Sequence, residues 1–365
     1  DVLNYQLKLP VGIGTADEFS VGLYHLDNNN GINYGLPWLL KTANGVARGL
    51  IEGISTRAYY GMASDYNAGS ATYGTVGHVH RFGSGAELKT VLRQGRYTRD
   101  QRASTIRFVS NDNPANGPIV LPPTLATLNG ATLIRRGTNN KVQDMDTRTL
   151  QSDFSGRFEG LGVKHELLTG VDLAQEDFTN YTMFPGGQST DPLFVKPNTT
   201  IGNPDDGARV AENQRTRSVG RTFEARALGL YLQDLVQVAP AWKVLGGLRF
   251  DHFKGRYWAA ASVNNQGVVT PEASRSRSDS LWSKRFGVLY QPTAQASFHF
   301  SYGTSFNTSG DTYQYDDQSV NTDPESSTNL ELGAKVDWAD GRFTTRGAIF
   351  QIGRASCRER VSLNV

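Results

Sequence analysis

Apolar and polar side chains alternate with a period of two along much of the chain, most clearly near its C-terminal end. Leu330, Leu332, Ala334, Val336 and Trp338 share one face, with Glu331, Gly333, Lys335 and Asp337 on the other, the pattern of a half-buried strand. Ala339-Asp340-Gly341-Arg342 supplies a tight turn, and Phe343, Thr345 and Ile349 then oppose Thr344 and Arg346, so a hairpin is predicted. Upstream, Ala296, Phe298, Phe300 and Tyr302 alternate with Gln295, Ser297, His299 and Ser301, pairing across Gln291-Pro292-Thr293-Ala294 with a strand around Arg285 to Tyr290. Trp242, Val244, Leu248 and Phe250 alternate with Lys243, Arg249 and Asp251, joined through Ala239-Pro240-Ala241 to a strand around Leu228 to Val238. Asp234 interrupts the apolar face of that strand, which points to a bulge or to a different register. Further hairpins are predicted for 146–156 with 162–175, 70–82 with 86–98 and 1–11 with 17–27, about twelve strands in all.

Turns within the hairpins are short, whereas the connections between hairpins, at about 28–69, 99–145, 176–221, 258–279 and 307–327, are long. Long structureless loops count against a compact soluble domain, but short turns at one end and long loops at the other is how outer-membrane barrels are arranged. Amphipathic antiparallel strands also leave unpaired backbone at both edges unless the sheet closes on itself. The predicted fold class is therefore all-β, a transmembrane antiparallel up-and-down β-barrel with short periplasmic turns and long extracellular loops. Trp242 and Trp338 stand beside short turns, where a membrane-interface girdle would sit. A soluble sandwich with buried tryptophans is the alternative, and the lack of a repeat of fixed period argues against a propeller.

Composition narrows the classes further. Only 38% of the 365 residues are hydrophobic, too few for a conventional core of that size, and 39 glycines with 10% aromatics favour strands and turns. A net charge of +2 supplies no field for nucleic acid. The single Cys357 makes neither an internal disulfide nor a thiolate metal cage. No apolar run reaches about 18 residues, so a transmembrane helix is not predicted, which leaves barrel strands untouched. The chain opens in strand-like sequence at Val2-Leu3-Asn4-Tyr5 without an initiator Met or signal peptide, so the start is expected to lie upstream. The tail from Ile352 onward resembles translated sequencing-adapter read-through. Residues 352–365 are expected to be non-native, leaving 1–351 as one partial barrel domain.

Several chemical patterns are weak. His78 and His80 share a strand face, the geometry of a metal pair, but no third ligand is evident and no metal site is expected. Asp311, Asp316, Asp317 and Asp323 lack the glycine and spacing of a calcium loop, and Gly12 and Gly14 precede no helical pattern that would make a phosphate loop. His299 and Ser301 share a face, as the base and nucleophile of an outer-membrane hydrolase would, yet no nucleophile elbow occurs. A passive porin-like channel would carry the same strand pattern.

The run Leu228-Gly229-Leu230-Tyr231-Leu232-Gln233-Asp234, followed by Trp242-Lys243-Val244-Leu245-Gly246-Gly247-Leu248-Arg249-Phe250-Asp251, resembles a signature hairpin of TonB-dependent siderophore receptors. Ser301-Tyr302-Gly303-Thr304-Ser305-Phe306 and Pro324-Glu325-Ser326-Ser327-Thr328-Asn329-Leu330-Glu331-Leu332-Gly333-Ala334-Lys335 are similar to the next two blocks of that family. Leu23-Tyr24-His25-Leu26-Asp27 with Asn33-Tyr34-Gly35-Leu36-Pro37-Trp38 is similar to its strand leading into an early extracellular loop. The resemblance spans about residues 1–350 and implies a partial barrel, about twelve of an expected 22 or so strands. The family's N-terminal plug, its TonB-contacting box and its final strands are expected to lie outside this sequence.

The resemblance further implies uptake of a ferric siderophore across the outer membrane, energised by the TonB-ExbB-ExbD complex acting on the plug. No chemistry falls on the chelate, and no enzyme activity or resident cofactor is implied. A chelate presents its own oxygens to iron, so loop aromatics and polar donors are the expected contacts. These are Tyr34, Trp38, Tyr59, Tyr60, Tyr181, Phe184, Tyr313 and Tyr315, with Arg209, Arg215 and Arg217 available to an anionic chelate. The three arginines would alternatively pair with Asp205, Asp206 and Glu212, and Arg249, Asp251, Lys335 and Asp337 are expected to form pairs inside the lumen.

Overall fold

The structure, a computed structural model, describes residues 2–36, 39–40, 48–49, 51–111, 118–184, 186, 190–263, 267–308 and 313–355. In chain order the strands are β1 (Val2–Val11), β2 (Asp17–Asn30), β3 (Leu39–Leu40), β4 (Arg48–Gly49), β5 (Tyr66–Arg81) and β6 (Glu87–Phe108). They continue with β7 (Leu133–Gly160), β8 (Val163–Phe184), β9 (Thr199–Thr200), β10 (Thr216–Ala239), β11 (Trp242–Ala259) and β12 (Ser262–Val263). The last are β13 (Val269–Thr270), β14 (Ala273–Thr293), β15 (Ala296–Asn307), β16 (Glu325–Trp338) and β17 (Phe343–Ala355).

One 13-stranded sheet runs β1-β2-β5-β6-β7-β8-β10-β11-β14-β15-β16-β17, with β9 added to β7, while β3–β4 and β12–β13 form two small ribbons. Every wall strand is antiparallel to its sequence neighbour, so the sheet is an up-and-down meander that includes all the predicted hairpins. Among the described residues β1 and β17 each have one wall neighbour, and the sheet is an open arc of barrel wall. No described helix is long and apolar enough to cross a membrane.

Side chains directly opposite each other on antiparallel strands share a face, so the register assigns the two faces of the wall. Leu92 lies opposite Leu150, Leu150 opposite Leu173 and Leu173 opposite Leu228. Nearby rows set Leu230 beside Phe250 and Trp282, then Leu232 beside Leu248. This face is apolar and outward, with Leu230, Leu248 and Trp282 exposed by 47%, 51% and 61%. Leaving such side chains in water would forgo about 1.5–3 kcal/mol each, a loss that hydrocarbon removes. The opposite face carries the lumen charges, where Arg249 bridges Asp172 and Asp251 at 2.8 Å each and Lys335 meets Asp337 at 3.2 Å. Trp242 stacks on Tyr290 with centroids 4.4 Å apart, Trp338 is 55% exposed, and both lie on the outward face beside short turns.

Two expectations are corrected. The connections are shorter than predicted because the strands run on: β7 spans 28 residues and begins at Leu133, inside the segment read as loop. At about 3.3 Å per residue it is some 90 Å long, whereas about 9–11 tilted residues cross the hydrocarbon. Alternation is imposed only where one face meets lipid, so the extramembrane halves of β6, β7, β8 and β10 carry no such signal. At Asp234 the ladder is unbroken, with Gly246 and Leu167 opposite it, and its carboxylate lies 2.6 Å from Nδ1 of His165. The shifts of register fall instead between Gln237 and Ala239 and between Val219 and Arg221. β17 runs to Ala355, pairing Ile352 with Asn329 and Ala355 with Ser326; Cys357 lies outside the described residues.

Turn geometry follows the sequence. Gly12 sits at φ +74° in the β1–β2 turn, where a Cβ would lie 2.4 Å from the Asp17 carbonyl oxygen, so only glycine fits. Ala339, Asp340 and Gly341 are all left-handed, at φ 51°, 55° and 85°, the twist that a tight hairpin turn demands.

Candidate functional site

At the loop end of the wall the lumen face carries an aromatic row. Tyr97 lies opposite Met145, Met145 opposite Phe178, Phe178 opposite Phe223 and Phe223 opposite Tyr257, on five adjacent strands. The segment between β15 and β16 folds down onto it. Tyr313 stacks on Phe178 at 5.0 Å and meets Phe223 edge-on at 5.8 Å, while Tyr315 reaches Phe223 at 5.2 Å. The Tyr313 hydroxyl donates to Oε2 of Glu176 at 3.1 Å; burial, and then the Glu176 charge, push its phenol up to about 12. Tyr315 is 2% exposed, and a Cβ on Gly255 would stand 2.4 Å from its hydroxyl oxygen, so this close approach requires glycine. That hydroxyl is buried without a hydrogen-bond partner.

Charged groups hold the same segment in place. Arg277 donates from Nη1 to the carbonyls of Val320, at 3.0 Å, and Thr322, while Nε and Nη2 grip Asp279 at 2.8 and 2.9 Å. Arg275 pairs with Asp317 at 2.8 Å, and Arg221 donates to Gln314 at 2.7 Å. Sequence reasoning missed Phe178, Phe223, Glu176 and Arg277. Glu176 and Phe178 fall at the edge of the segment assigned to loop, 176–221, Phe223 just beyond it and Arg277 in the connection 258–279, where no alternation singles them out.

Two further connections, 51–65 and 190–215, pack on the other face. Ile106 and Ile134, directly beneath them, carry the strand parity of Leu92 and Leu150, so these loops cover the outward face beyond the lipid belt. Arg136 is 1% exposed; its Nε donates to the Tyr60 carbonyl at 2.6 Å, and its two Nη atoms grip Asp206 at 2.9 Å each. Burial opposes the Asp206 charge, but the Arg136 guanidinium and the Ala208 N–H hold its carboxyl below the usual range. Lys196, at 2% side-chain exposure, lies 3.4 Å from both Asp65 and Glu212, and donates to the Ala103 carbonyl and the Ser104 hydroxyl at 3.0 Å.

The candidate contacts therefore do not form one surface. Tyr34 is 43% exposed at the lumen, and its hydroxyl accepts from Gln101 and Asn139 at 2.9 Å each. Phe184 is 52% exposed, Arg209 is exposed on its loop, and Tyr313 and Tyr315 form the docked lumen segment. Tyr59 and Tyr60 are spent on anchoring: Tyr59 donates to Asp65 at 3.2 Å, with burial and that carboxylate raising its pKa, and Tyr60 donates to the Ile201 carbonyl at 2.8 Å. Arg215 is buried against Glu212 at 2.7 Å. Arg217 lies 4.5 Å over the Tyr181 ring, and Tyr181, opposite Val142, points outward rather than into the lumen. Trp38 lies outside the described residues.

The weaker chemical patterns also resolve. Oδ1 of Asp17 lies 2.9 Å from Nε2 of His78 and 2.8 Å from Nδ1 of His80, a partner brought by the β2–β5 register that spacing alone did not reveal. Among the described residues no three His, Cys, Asp or Glu are placed to hold a metal. Nε2 of His299 lies 2.8 Å from Glu331, opposite Ser301, so the imidazole engages a carboxylate on the next strand. Asp316 caps the Ser319 N–H at 2.6 Å; Asp311 lies outside the described residues.

An up-and-down wall with short turns at one end, long docked loops at the other and a charged, aromatic lumen face is now established. The profile of the family "TonB dependent receptor-like, beta-barrel" matches residues 4–354. The chain belongs to the TonB-dependent receptor β-barrel family. Its wall is thus that of a Gram-negative outer-membrane receptor. Curated relatives include the "Probable TonB-dependent receptor BfrD" of Bordetella pertussis, 23% identical over 360 residues, 94% of this chain and 46% of the relative. The "Probable TonB-dependent siderophore receptor PiuA" of Acinetobacter baumannii is 22% identical over 381 residues, 97% of this chain and 47% of the relative. Among solved structures, the closed form of the ferric-catecholate import receptor Fiu of Escherichia coli K12 superposes with a TM-score of 0.78 at 19% identity. That match covers 96% of this chain and 51% of the other and bears on fold. The chain spans about half the length of the curated relatives it matches.

Proposed function

We propose that the protein containing this TonB-dependent receptor wall takes up a ferric siderophore across the outer membrane, energised by the TonB-ExbB-ExbD complex acting from the periplasmic side. The observation that carries this reading is the aromatic row Met145–Phe178–Phe223–Tyr257 on the lumen face at the loop end, with Tyr313 and Tyr315 docked on it. The docked segment buries Phe178 and Phe223, so the rings left accessible at this end are those of Tyr34, Phe184 and Tyr313, exposed or half-exposed beside polar donors, the chemistry that holds a chelate whose iron is already saturated. Of the three predicted arginines, Arg209 and Arg217 are exposed at the loop end, on the outward side of the wall, and Arg215 is buried. No bond of the chelate is made or broken, and His299 with Glu331 serves the wall rather than hydrolysis. Trp242 and Trp338 anchor the periplasmic rim at the membrane interface. Residues 1–351 act as one wall domain.

The test is equilibrium binding of a panel of ferric catecholates and hydroxamates to the full-length protein and to its Tyr34→Ala and Phe184→Ala variants, followed by intrinsic fluorescence. At least one chelate is expected to bind, with affinity falling several-fold in each variant. Absence of binding across the panel would overturn the cargo while leaving the fold untouched.

A further inference from the structure

The outward face of the wall carries a feature that neither uptake nor loop anchoring uses. Directly above the leucine row Leu92, Leu150, Leu173 and Leu228, on the side of the long loops, the next outward positions on β7, β8, β10 and β11 are Arg148, Gln175, Arg226 and Lys254. Each lies opposite the next across the ladder, so three exposed cations span about 15 Å of wall at ordinary strand spacing. Leucines and cations together line one open groove of about 570 Å³ on this face. Among the described residues, none of Arg148, Arg226 and Lys254 makes an ion pair.

The surrounding charges are accounted for as follows. One row further toward the loops stand Asp146, Asp177 and Glu224, flanked by Arg96 and Arg256. Glu224 pairs with Arg256 at 3.9 Å, Asp177 accepts from Gln175 at 3.0 Å, and Arg96 pairs with Asp144 at 3.7 Å. Glu224 is thus turned to a partner in its own row and Asp177 reaches back to Gln175, while the three cations sit at the border between apolar belt and polar extension. Long cationic side chains at such a border lay their stems along the apolar surface and present their charge at head-group depth.

We propose that this groove is a binding site for a lipid with a phosphorylated head group in the leaflet on the loop side, the acyl chains lying on Leu92, Leu150, Leu173 and Leu228 and the phosphate on Arg148, Arg226 and Lys254. Guanidinium forks and an ammonium converge on phosphate oxygens, and the adjoining leucines explain why the occupant is a lipid rather than a free anion. The site depends on the barrel wall and not on the cargo of the receptor.

The full-length protein in detergent is titrated with phosphatidic acid, with phosphatidylcholine and with inorganic phosphate, and bound lipid is counted by native mass spectrometry. Phosphatidic acid is expected to be retained at one per chain and phosphatidylcholine at least tenfold more weakly. Retention is expected to fall at least tenfold in the triple variant Arg148→Gln, Arg226→Gln, Lys254→Gln. The single Arg226→Gln variant should show an intermediate loss, and Arg157→Gln with Lys164→Gln, near the short turns, should show none. Heat-dependent gel mobility verifies that each variant is a folded barrel. Unchanged retention by the triple variant would overturn the proposal. Equal retention of phosphatidylcholine, or complete displacement by millimolar inorganic phosphate, would overturn it equally.

Discussion

Replacing Lys196 with Met removes the buried cation that joins loop 190–215 to the wall. Lys196, Asp65 and Glu212 are each 2% exposed at the side chain. Asp65 keeps its bonds from the Ser104 N–H and hydroxyl at 3.0 Å and from the Met62 N–H at 3.1 Å. Glu212 keeps Arg215 on Oε2 at 2.7 Å, but its Oε1 has no hydrogen bond and faces Lys196 at 3.4 Å, so the Asp65–Glu212 pair of carboxylates is left with one cation for two charges. Breaking a buried pair by removing one partner costs about 3–5 kcal/mol. Methionine recovers about 1 kcal/mol through its apolar stem, so Lys196→Met should destabilise the docked loop by about 2–4 kcal/mol, a rise of roughly 30- to 800-fold in its opening constant. Native-state hydrogen exchange resolved by segment measures this directly. Amides around Val210 and Ala211, bonded to Ser64 and Leu193, should exchange faster by that factor, while those of β10 and β11 stay unchanged. Exchange at 190–215 within threefold of wild type would refute the claim that this ion cluster holds the loop.

Three further outcomes follow from the same geometry. Tyr315→Phe deletes a buried hydroxyl without a partner, so the segment 313–324 should be held more tightly by about 1 kcal/mol, read as slower exchange there; faster exchange would contradict the packing described. The Tyr313 phenol is raised to about 12 from 10.0, so its contribution to docking is complete below pH 10 and is lost as pH rises from there through about 12. Ultraviolet titration of the wild type against Tyr313→Phe should show one tyrosine ionising late, and its absence would remove the Glu176 contact. On the outward face Leu232→Arg should cost up to about 2–4 kcal/mol of barrel stability in bilayers, whereas Gln151→Arg on the lumen face should cost under about 1 kcal/mol; equal costs in urea unfolding would reverse the assignment of faces.

How much was legible before the structure follows from where lipid acts. Leu330 to Trp338 and Trp242 to Phe250 alternate because one face must be apolar, and their hairpins are read directly. Beyond the belt both faces meet water or a docked loop, so β7 from Leu133 to about Thr147 looks like loop although it pairs with β6 from Ile134 and with β8 from Val142. The same blindness hid the aromatic floor, since Phe178 and Phe223 meet only through the β8–β10 register across a long connection. Residue type picked out Tyr60 and Arg215 but could not distinguish an anchor from a ligand contact. That distinction rests on burial against Ile201 and Glu212, which chain spacing does not contain.

Uptake of iron tests the central reading most directly: cells producing the full-length protein, with the coupling protein present or deleted, are given a panel of labelled ferric siderophores. Accumulation of at least one chelate, abolished by deleting the coupling protein, is the predicted result. Uptake indifferent to the coupling protein, as through a passive pore, or no uptake of any chelate, would contradict it.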